Sequence, residues 1–137
     1  MEQYTFIPFV SVGIFVFNSN IQKYLPLIAS YDFLIMPDTN TQRYYIDEMG
    51  LRISCENDLI DSITCDKYCF YKGHNLIGMT IHQCKKILSA IPTTHEYLWV
   101  SDTERQSVYT FDCLGLMLWF SKRRLVTVIC MRYIEDD

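Results

Sequence analysis

The sequence predicts an α+β fold in which a strand-helix-hairpin unit occurs twice and forms a largely antiparallel sheet packed by two helices. The main observation is an internal repeat. The stretch "YYIDEMGLRISCENDLIDSITC" (44–65) returns without a gap as "YTFDCLGLMLWFSKRRLVTVIC" (109–130), at a constant offset of 65. Two further observations are that each copy divides into two apolar runs around a polar turn, and that a helix-capping pattern precedes each copy.

A single domain is predicted for residues 1–137, because a chain of this length can bury one core but has no room for two. The two repeats, approximately residues 10–65 and 69–133, must therefore share that core. Half of the residues are hydrophobic and 15% are aromatic, a composition that excludes a disordered chain.

The first unit opens with the apolar stretch 6–17. We interpret it as a buried strand, because it lacks the basic start of a targeting segment and is shorter than a membrane span. Ser19 and Gln22 then have the spacing of a capping box, which marks the start of a helix. Pro26 would interrupt a long helix, so we expect a short, kinked or partly irregular one.

A hairpin ends the first unit. The apolar runs "IDEMGLRIS" and "LIDSITC" flank Glu56, Asn57 and Asp58, which predicts a short polar turn. Gly50 and Gly115 occupy equivalent places in the two copies, where a hairpin strand begins. Either a positive φ or a bulge would explain glycine at both positions.

The second unit begins with "CFYKGHNLIGMTIHQCKKILSAIP", which predicts a short strand, a turn at 72–75 and a helix. Thr80 and Gln83 form the capping box of this helix, and Pro92 is expected to end it. One helical face carries the apolar residues Ile81, Cys84, Leu88 and Ile91. The second hairpin follows, with "GLMLWF" and "LVTVICM" around the basic residues of 121–124.

No catalytic, cofactor-binding or metal site is predicted from the histidines and cysteines. The histidines are scattered without ligand spacing (His74, His82 and His95). Cys65 and Cys69 are four apart without a second pair, so packing explains them better than zinc. There is no secretory signal, which favours reduced thiols in a cytoplasm over a disulfide framework, and core positions are expected for Cys55, Cys84 and Cys130.

Acidic charge is concentrated in one part of the chain. The net charge of -4 argues against a general nucleic-acid binder. Between Ser30 and Phe70, eight acidic residues stand against three basic ones, a local net charge of -5. Solvated loop charge is the simplest interpretation, and the repeated Asp47 and Asp112 are best explained as turn or capping residues.

The functional alternative is a docking surface for a basic protein, because clustered carboxylates speed encounter and aromatic side chains anchor the contact. The basic turn of the second hairpin could pair with part of this surface or extend the contact to an acidic region of the partner. The predicted partner-binding residues are Tyr44, Tyr45, Asp47, Glu48, Glu56, Asp58 and Asp61.

The pattern of a "GLRISCENDLIDSI" hairpin, then "YKGHNLIGMTIHQC", then a "YTFDCLGLMLWF" hairpin resembles small bacterial immunity proteins of contact-dependent growth inhibition systems. The resemblance spans about residues 44–130. It rests on spacing and hydrophobicity, and it supplies no contact residues. It implies a cytoplasmic protein, not an enzyme, that binds the C-terminal toxin domain of its own strain and blocks the toxin's active site or substrate approach.

The resemblance also implies something about the target. Many toxins of this class are nucleases, often basic, which suits the acidic stretch, and an EndoU-like RNase is the target that we favour. The expected partner is thus a protein, with no direct nucleic-acid or membrane contact and no cofactor.

Two other classes remain open. A small enzyme could assemble its site from Cys65 or Cys69 with His74, and would show a reactive thiol of low pKa. A ligand-binding module could hold a pocket between the two repeats, lined by tyrosines, Trp99 and Trp119.

Overall fold

Antiparallel strands make up most of the protein, whose computed structural model describes residues 4–29, 34–38 and 41–133. The strands are β1 Phe6–Ile7, β2 Ser11–Val12, β3 Phe15–Val16, β4 Leu34–Asp38, β5 Thr41–Ile46, β6 Leu51–Glu56, β7 Leu59–Cys65, β8 Phe70–Tyr71, β9 His74–Asn75, β10 Thr94–Trp99, β11 Arg105–Phe111, β12 Leu116–Ser121 and β13 Arg124–Met131. The helices are a 3₁₀ helix at Ile21–Tyr24, α1 Leu25–Ile28, a 3₁₀ helix at Asp47–Met49 and α2 Ile81–Leu88. The chain is therefore broadly α+β, as predicted.

Eight strands form one sheet in the spatial order β10, β11, β12, β13, β7, β6, β5, β4. Strands β4 to β7 form one meander and β10 to β13 a second, and every neighbouring pair is antiparallel. The two meanders meet at the centre of the sheet, where Cys65 of β7 lies opposite Val128 of β13 and Ile63 lies opposite Cys130. The last strand of each meander is thus an inner strand.

The hairpin turns are confirmed, and each consists of two residues. Asn57 and Asp58 have φ of 52° and 64°, and Lys122 and Arg123 have φ of 51° and 69°. Two successive positive φ values mark a type I′ turn, whose twist matches that of the flanking strands. The chain therefore tolerates four non-glycine residues in left-handed conformations to make these turns tight.

The hairpins are also alike away from their turns. Gly50 and Gly115 have φ of 62° and 63°, so the expectation of positive φ is confirmed. A register shift falls between Ser54 and Cys55 in β6 and between Trp119 and Phe120 in β12. Each of these positions in the second hairpin lies 65 residues after its counterpart in the first.

One core lies against one face of the sheet. In β6 the alternate residues Leu51, Ile53 and Cys55 are buried, while the residues between them are half-buried or exposed. The buried cluster joins these strand residues to side chains of the N-terminal segment and of α2. Among the described residues, no helix has the length and apolar character needed to cross a bilayer.

The apolar opening was predicted as one buried strand, and that prediction is wrong. The stretch forms β1, β2 and β3, a small three-stranded sheet of two-residue strands. Phe9 and Gly13 have φ of 63° and 58°, so the chain reverses twice within the stretch. Consequently Phe6 and Phe15 are buried, whereas Ile14 is 50% exposed.

The first helix is short and partly irregular, as expected, but its cap differs from the prediction. The side chain of Asn20, rather than Ser19, accepts a hydrogen bond from the Gln22 N–H at 2.9 Å. The Ser19 hydroxyl instead donates to the carbonyl of Val16. A 3₁₀ turn then leads into α1, which has Pro26 in its first turn, where proline needs no N–H partner.

The second helix has the predicted capping box of Thr80 and Gln83. Cys84 and Leu88 are buried as expected. The helix ends at Leu88 rather than at Pro92, because Ser89 takes a left-handed conformation with φ of 52°. Ile91 therefore falls outside the helix and is 86% exposed, so its predicted place on the core face is wrong.

Candidate functional site

The predicted acidic surface divides into two groups. Glu56 ends β6 and Asp58 lies in the turn that follows, whereas Asp47 and Glu48 are exposed in the 3₁₀ helix before this strand. At about 3.3 Å per residue, β6 separates the two groups by roughly 17 Å. Asp32 lies outside the described residues, and for Asp38 only the backbone is described. The acidic residues therefore do not form one continuous patch.

Contacts or burial within the protein restrict three of the predicted residues. The Glu56 carboxylate pairs with the Arg132 guanidinium at 3.4 Å, and Asp58 accepts the Ile21 N–H through its carbonyl at 2.8 Å. Asp61 is the additional residue at the register shift and is half-buried. Its Oδ1 is buried with no hydrogen-bond partner among the described residues.

The two predicted tyrosines point to opposite faces of β5. Tyr44 is 4% exposed and belongs to the core, so its predicted role as a partner contact is wrong. Burial, followed by the nearby Cys55 and Asp58, raises the pKa of its hydroxyl. Tyr45 is half-buried on the other face, beside Arg52 of β6.

The basic turn of the second hairpin lies at the opposite end of the sheet from the acidic turn. Because β7 and β13 run antiparallel, the turns that precede them point in opposite directions. The two ion pairs among the described residues are Arg52 with Asp66 and Arg132 with Glu56, and neither involves the basic turn. Pairing of the basic turn with Glu56 or Asp58 is therefore ruled out by strand direction.

A cleft of about 510 Å³ lies between the start of α2 and strands β10, β11 and β12. Its lining includes three cations and three aromatic rings, namely Arg105, Lys122, Arg123, Tyr97, Tyr109 and Phe120. We call this concavity the cationic cleft. Among the described carboxylates, none forms an ion pair with these cations. The cleft therefore presents positive charge on an aromatic surface.

Strand pairing explains how the aromatic residues come together. In β10 and β11, Tyr97 lies opposite Ser107, Trp99 opposite Arg105, and His95 opposite Tyr109. Residues at alternate positions share one face of a strand, so all of these side chains project on the side of the sheet that carries α2. The His95 ring stacks on the Tyr109 ring at 3.9 Å with 7° between the planes.

The charge of Arg105 lies against two of these rings. The guanidinium carbon is 4.7 Å from the centre of the Tyr97 ring and 6.0 Å from that of Trp99. These distances suit cation–π contacts, which hold the arginine in place without neutralising it. Tyr97 is 56% exposed and Trp99 67% exposed, unusual values for large aromatic residues on a strand.

The Glu104 carboxylate interacts with Lys122, one of the cations of the cleft. Hydrogen bonds from Gln106 and Ser121, together with the charge of Lys122, hold the pKa of this carboxyl below its ordinary value. Gln106 and Ser121 alternate with Arg105 and Phe120 along their strands, which places them on the other face of the sheet. Glu104 thus offsets part of the Lys122 charge from the other face of the sheet and forms no ion pair with the described cations of the cleft.

A second cluster lies in the core. The sulfur atoms of Cys65, Cys69 and Cys130 are within 4.8 Å of one another, and all three residues are fully buried. Hydrogen bonds from Cys130 and Cys65 lower the pKa of the Cys69 thiol, while burial raises that of Cys130. Three thiols at this separation could hold a soft metal ion, although no fourth ligand joins them among the described residues.

From the sequence we considered Cys65 and Cys69 as a ligand pair, and we did not identify Cys130 as the third thiol of this cluster. Cys130 reaches them because β13 pairs with β7 across the centre of the sheet. His74, the predicted partner of a catalytic cysteine, is exposed in β9, and no described hydrogen bond joins it to either buried thiol. The pairing suggested for an enzyme is therefore not formed.

The predicted ligand pocket also differs from the observed one. The cleft lies within the second half of the chain rather than between the repeats. Trp119 is on the opposite face of β12 from Phe120, and Trp99 is beside the cleft without lining it. The signal that could have revealed this site is the alternation of aromatic rings in "THEYLW", followed by Arg105 on the next strand.

No protein-family model, curated protein or solved structure matches this chain.

Proposed function

We propose that the protein is a cytoplasmic immunity protein, which binds the C-terminal toxin domain of its own strain and neutralises it without catalysis. The observation that carries the proposal is the placement of acidic residues, three of them exposed and Asp58 half-buried, on short ordered connections at the two ends of β6. Glu56 precedes a tight type I′ turn and Asp58 is its second residue, while Asp47 and Glu48 lie on a short 3₁₀ helix. Rigid presentation lowers the entropy that a contact surface loses when it binds.

The proposed target is a nuclease, with an EndoU-like RNase favoured. A nuclease must hold a polyanion and therefore carries a basic surface, which clustered carboxylates can cover. Charge of opposite sign also accelerates encounter, an advantage for an inhibitor that must act before its target does. Blocking substrate approach in this way requires no catalytic residue in the inhibitor.

We also propose that the chain arose as two copies of a strand-helix-hairpin unit that share one core. Three similarities at an offset of 65 support this history. The two hairpins have the same type of turn, a register shift at the same place and a glycine with the same backbone conformation. The chain ahead of each helix also contacts its hairpin at matching positions. Ile60 exchanges backbone hydrogen bonds with Asn18 and Ser19, and Leu125 does so with Gly78 and Met79.

The first test is co-purification of the tagged protein from its host. The proposal predicts a stoichiometric basic polypeptide that is toxic when expressed alone and harmless when expressed with this chain. A monomer that brings down no such polypeptide would contradict it.

The second test locates the contact by charge reversal. Asp58→Arg copies the residue that the second turn carries at the matching position, so the left-handed backbone accepts it. Asp47→Lys tests the other acidic group, and Asp112→Lys is its matched control in the second half. Association measured by stopped flow should slow several-fold for at least one of the first two variants and not for the control. Equal rates in all three would exclude the acidic residues as the contact.

A further inference from the structure

We propose that the cationic cleft is a binding site for a nucleoside monophosphate, a ligand that combines a compact anion with a planar ring. This inference is independent of the proposed immunity function and concerns the opposite end of the sheet from the acidic turn. Its basis is the convergence of three cations, the exposed Tyr97 ring and the half-buried Tyr109 ring on one concave surface.

The anionic part of the ligand follows from the cations. Arg105, Lys122 and Arg123 all line the cleft, and each is exposed to solvent. An arginine fork offers two parallel N–H donors to phosphate oxygens, and a lysine adds a mobile point charge. Thr80 and His82 at the start of α2 extend the same wall. The Gln83 N–H of this helix is already bonded to the Thr80 hydroxyl, so the helix start contributes mainly the partial positive charge of its first turn.

The planar part of the ligand follows from the rings. Tyr97 is more than half exposed at the mouth of the cleft, and Arg105 lies over it at 4.7 Å. Tyr109 is fixed from both sides by His95, which stacks on it, and by Phe120, which meets it edge-on at 5.5 Å. A base can therefore stack on Tyr97 or on the face of the guanidinium, at little cost in side-chain ordering.

The size of the cleft suits one nucleotide. Its volume of about 510 Å³ falls in the range of small-ligand sites, which bury most of the ligand surface. The second concavity, of about 270 Å³ on the other face of the sheet, is smaller and lined by no aromatic ring except Tyr45. A ring and a phosphate together are thus better accommodated in the cationic cleft.

The test is a titration of the intact protein with UMP and AMP. Binding is measured by calorimetry and by tryptophan fluorescence, to which Trp99 beside Arg105 contributes. Uridine and inorganic phosphate, titrated separately, represent the ring and the anion alone. We expect each nucleotide to bind at least tenfold more tightly than either part. Arg105→Gln and Tyr97→Leu should each weaken nucleotide binding about tenfold, whereas Lys86→Gln, an exposed cation of α2 outside the cleft, should not.

Four results would overturn the proposal. The first is that neither nucleotide binds at millimolar concentration, and the second is that phosphate alone binds as tightly as the nucleotides. The third is that Lys86→Gln weakens nucleotide binding as much as Arg105→Gln does. The fourth is that a five-residue oligouridylate binds more than tenfold more tightly than UMP. The last result would assign the exposed rings of β10 to a nucleic-acid strand instead. Unchanged thermal unfolding of Arg105→Gln and Tyr97→Leu would show that a loss of binding is not a loss of fold.

Discussion

Glycine-to-alanine substitution at three positions with the same backbone strain should give three different losses of stability. Gly73, Gly50 and Gly115 have φ of 80°, 62° and 63°, where an L-residue costs about 1–2 kcal/mol. A Cβ at Gly73 would meet nothing within 4 Å. Gly73→Ala therefore measures the backbone term alone, and we expect a loss of about 1 kcal/mol.

The other two glycines add a steric term. A Cβ at Gly50 would lie 2.6 Å from Cγ, 2.8 Å from Cβ and 3.0 Å from the backbone N of Lys67, so the lysine can relieve only part of the clash by turning its exposed side chain. A Cβ at Gly115 would lie 2.8 Å from the carbonyl oxygen of Met131 and 2.7 Å from the Phe9 ring. A backbone oxygen cannot move without disturbing β13, so overpacking should add about 1–3 kcal/mol. We expect about 1–3 kcal/mol for Gly50→Ala and about 2–5 kcal/mol for Gly115→Ala.

Urea denaturation followed by circular dichroism measures all three free energies of unfolding, provided that the urea slope is unchanged between variants. The order Gly115, Gly50, Gly73, from largest loss to smallest, is the expected result. A loss for Gly115→Ala no larger than that for Gly73→Ala would refute the steric argument. Stabilisation in all three variants would refute the positive φ values themselves.

Three further outcomes concern buried groups. A thiol reagent should modify Cys113 alone in the native protein, because the other cysteines are buried, and Cys113→Ser should abolish the rapid reaction. Burial raises the pKa of Cys55 and Cys84 to about 12, so the native state keeps protons that the unfolded chain loses. Stability should therefore fall as pH rises from about 9 towards 12, and the decrease should be shallower in Cys55→Ala and Cys84→Ala. Finally, Nε1 of Trp119 is buried without a partner among the described residues, so Trp119→Phe removes no hydrogen bond. Calorimetry should show a cost below about 1 kcal/mol. A larger loss would show that the indole makes a bond or a packing contact that phenylalanine cannot replace.

The hairpins and α2 could be predicted because their signals are local. A polar pair between alternating apolar runs specifies a tight turn, and Thr80 with Gln83 specifies a helix start, whatever the rest of the chain does. The N-terminal segment could not be predicted in the same way. Its continuous apolar run does not reveal that Phe9 would adopt a positive φ and divide one strand into several.

The candidate sites were missed because strand pairing creates them. Arg105 meets Tyr97 across two strands, and Cys130 joins Cys65 only because the inner strands of the two meanders are neighbours. The sequence match at an offset of 65 pairs Cys65 with Cys130, but such a match does not fix the distance between the two residues. The prediction of an acidic surface failed in part for the related reason that it ignored which strand face each residue occupies, as the burial of Tyr44 shows.

The pairing of β7 with β13 has a consequence for how the chain reaches its native state. Residues that are about 65 positions apart must find each other before the centre of the sheet can close, so folding should be slower than for a protein rich in local contacts. Until that moment each meander presents an unpaired inner edge, which is a template for another chain. A fragment holding only one meander should therefore tend to associate with a second copy of itself, replacing an intramolecular partner with an intermolecular one.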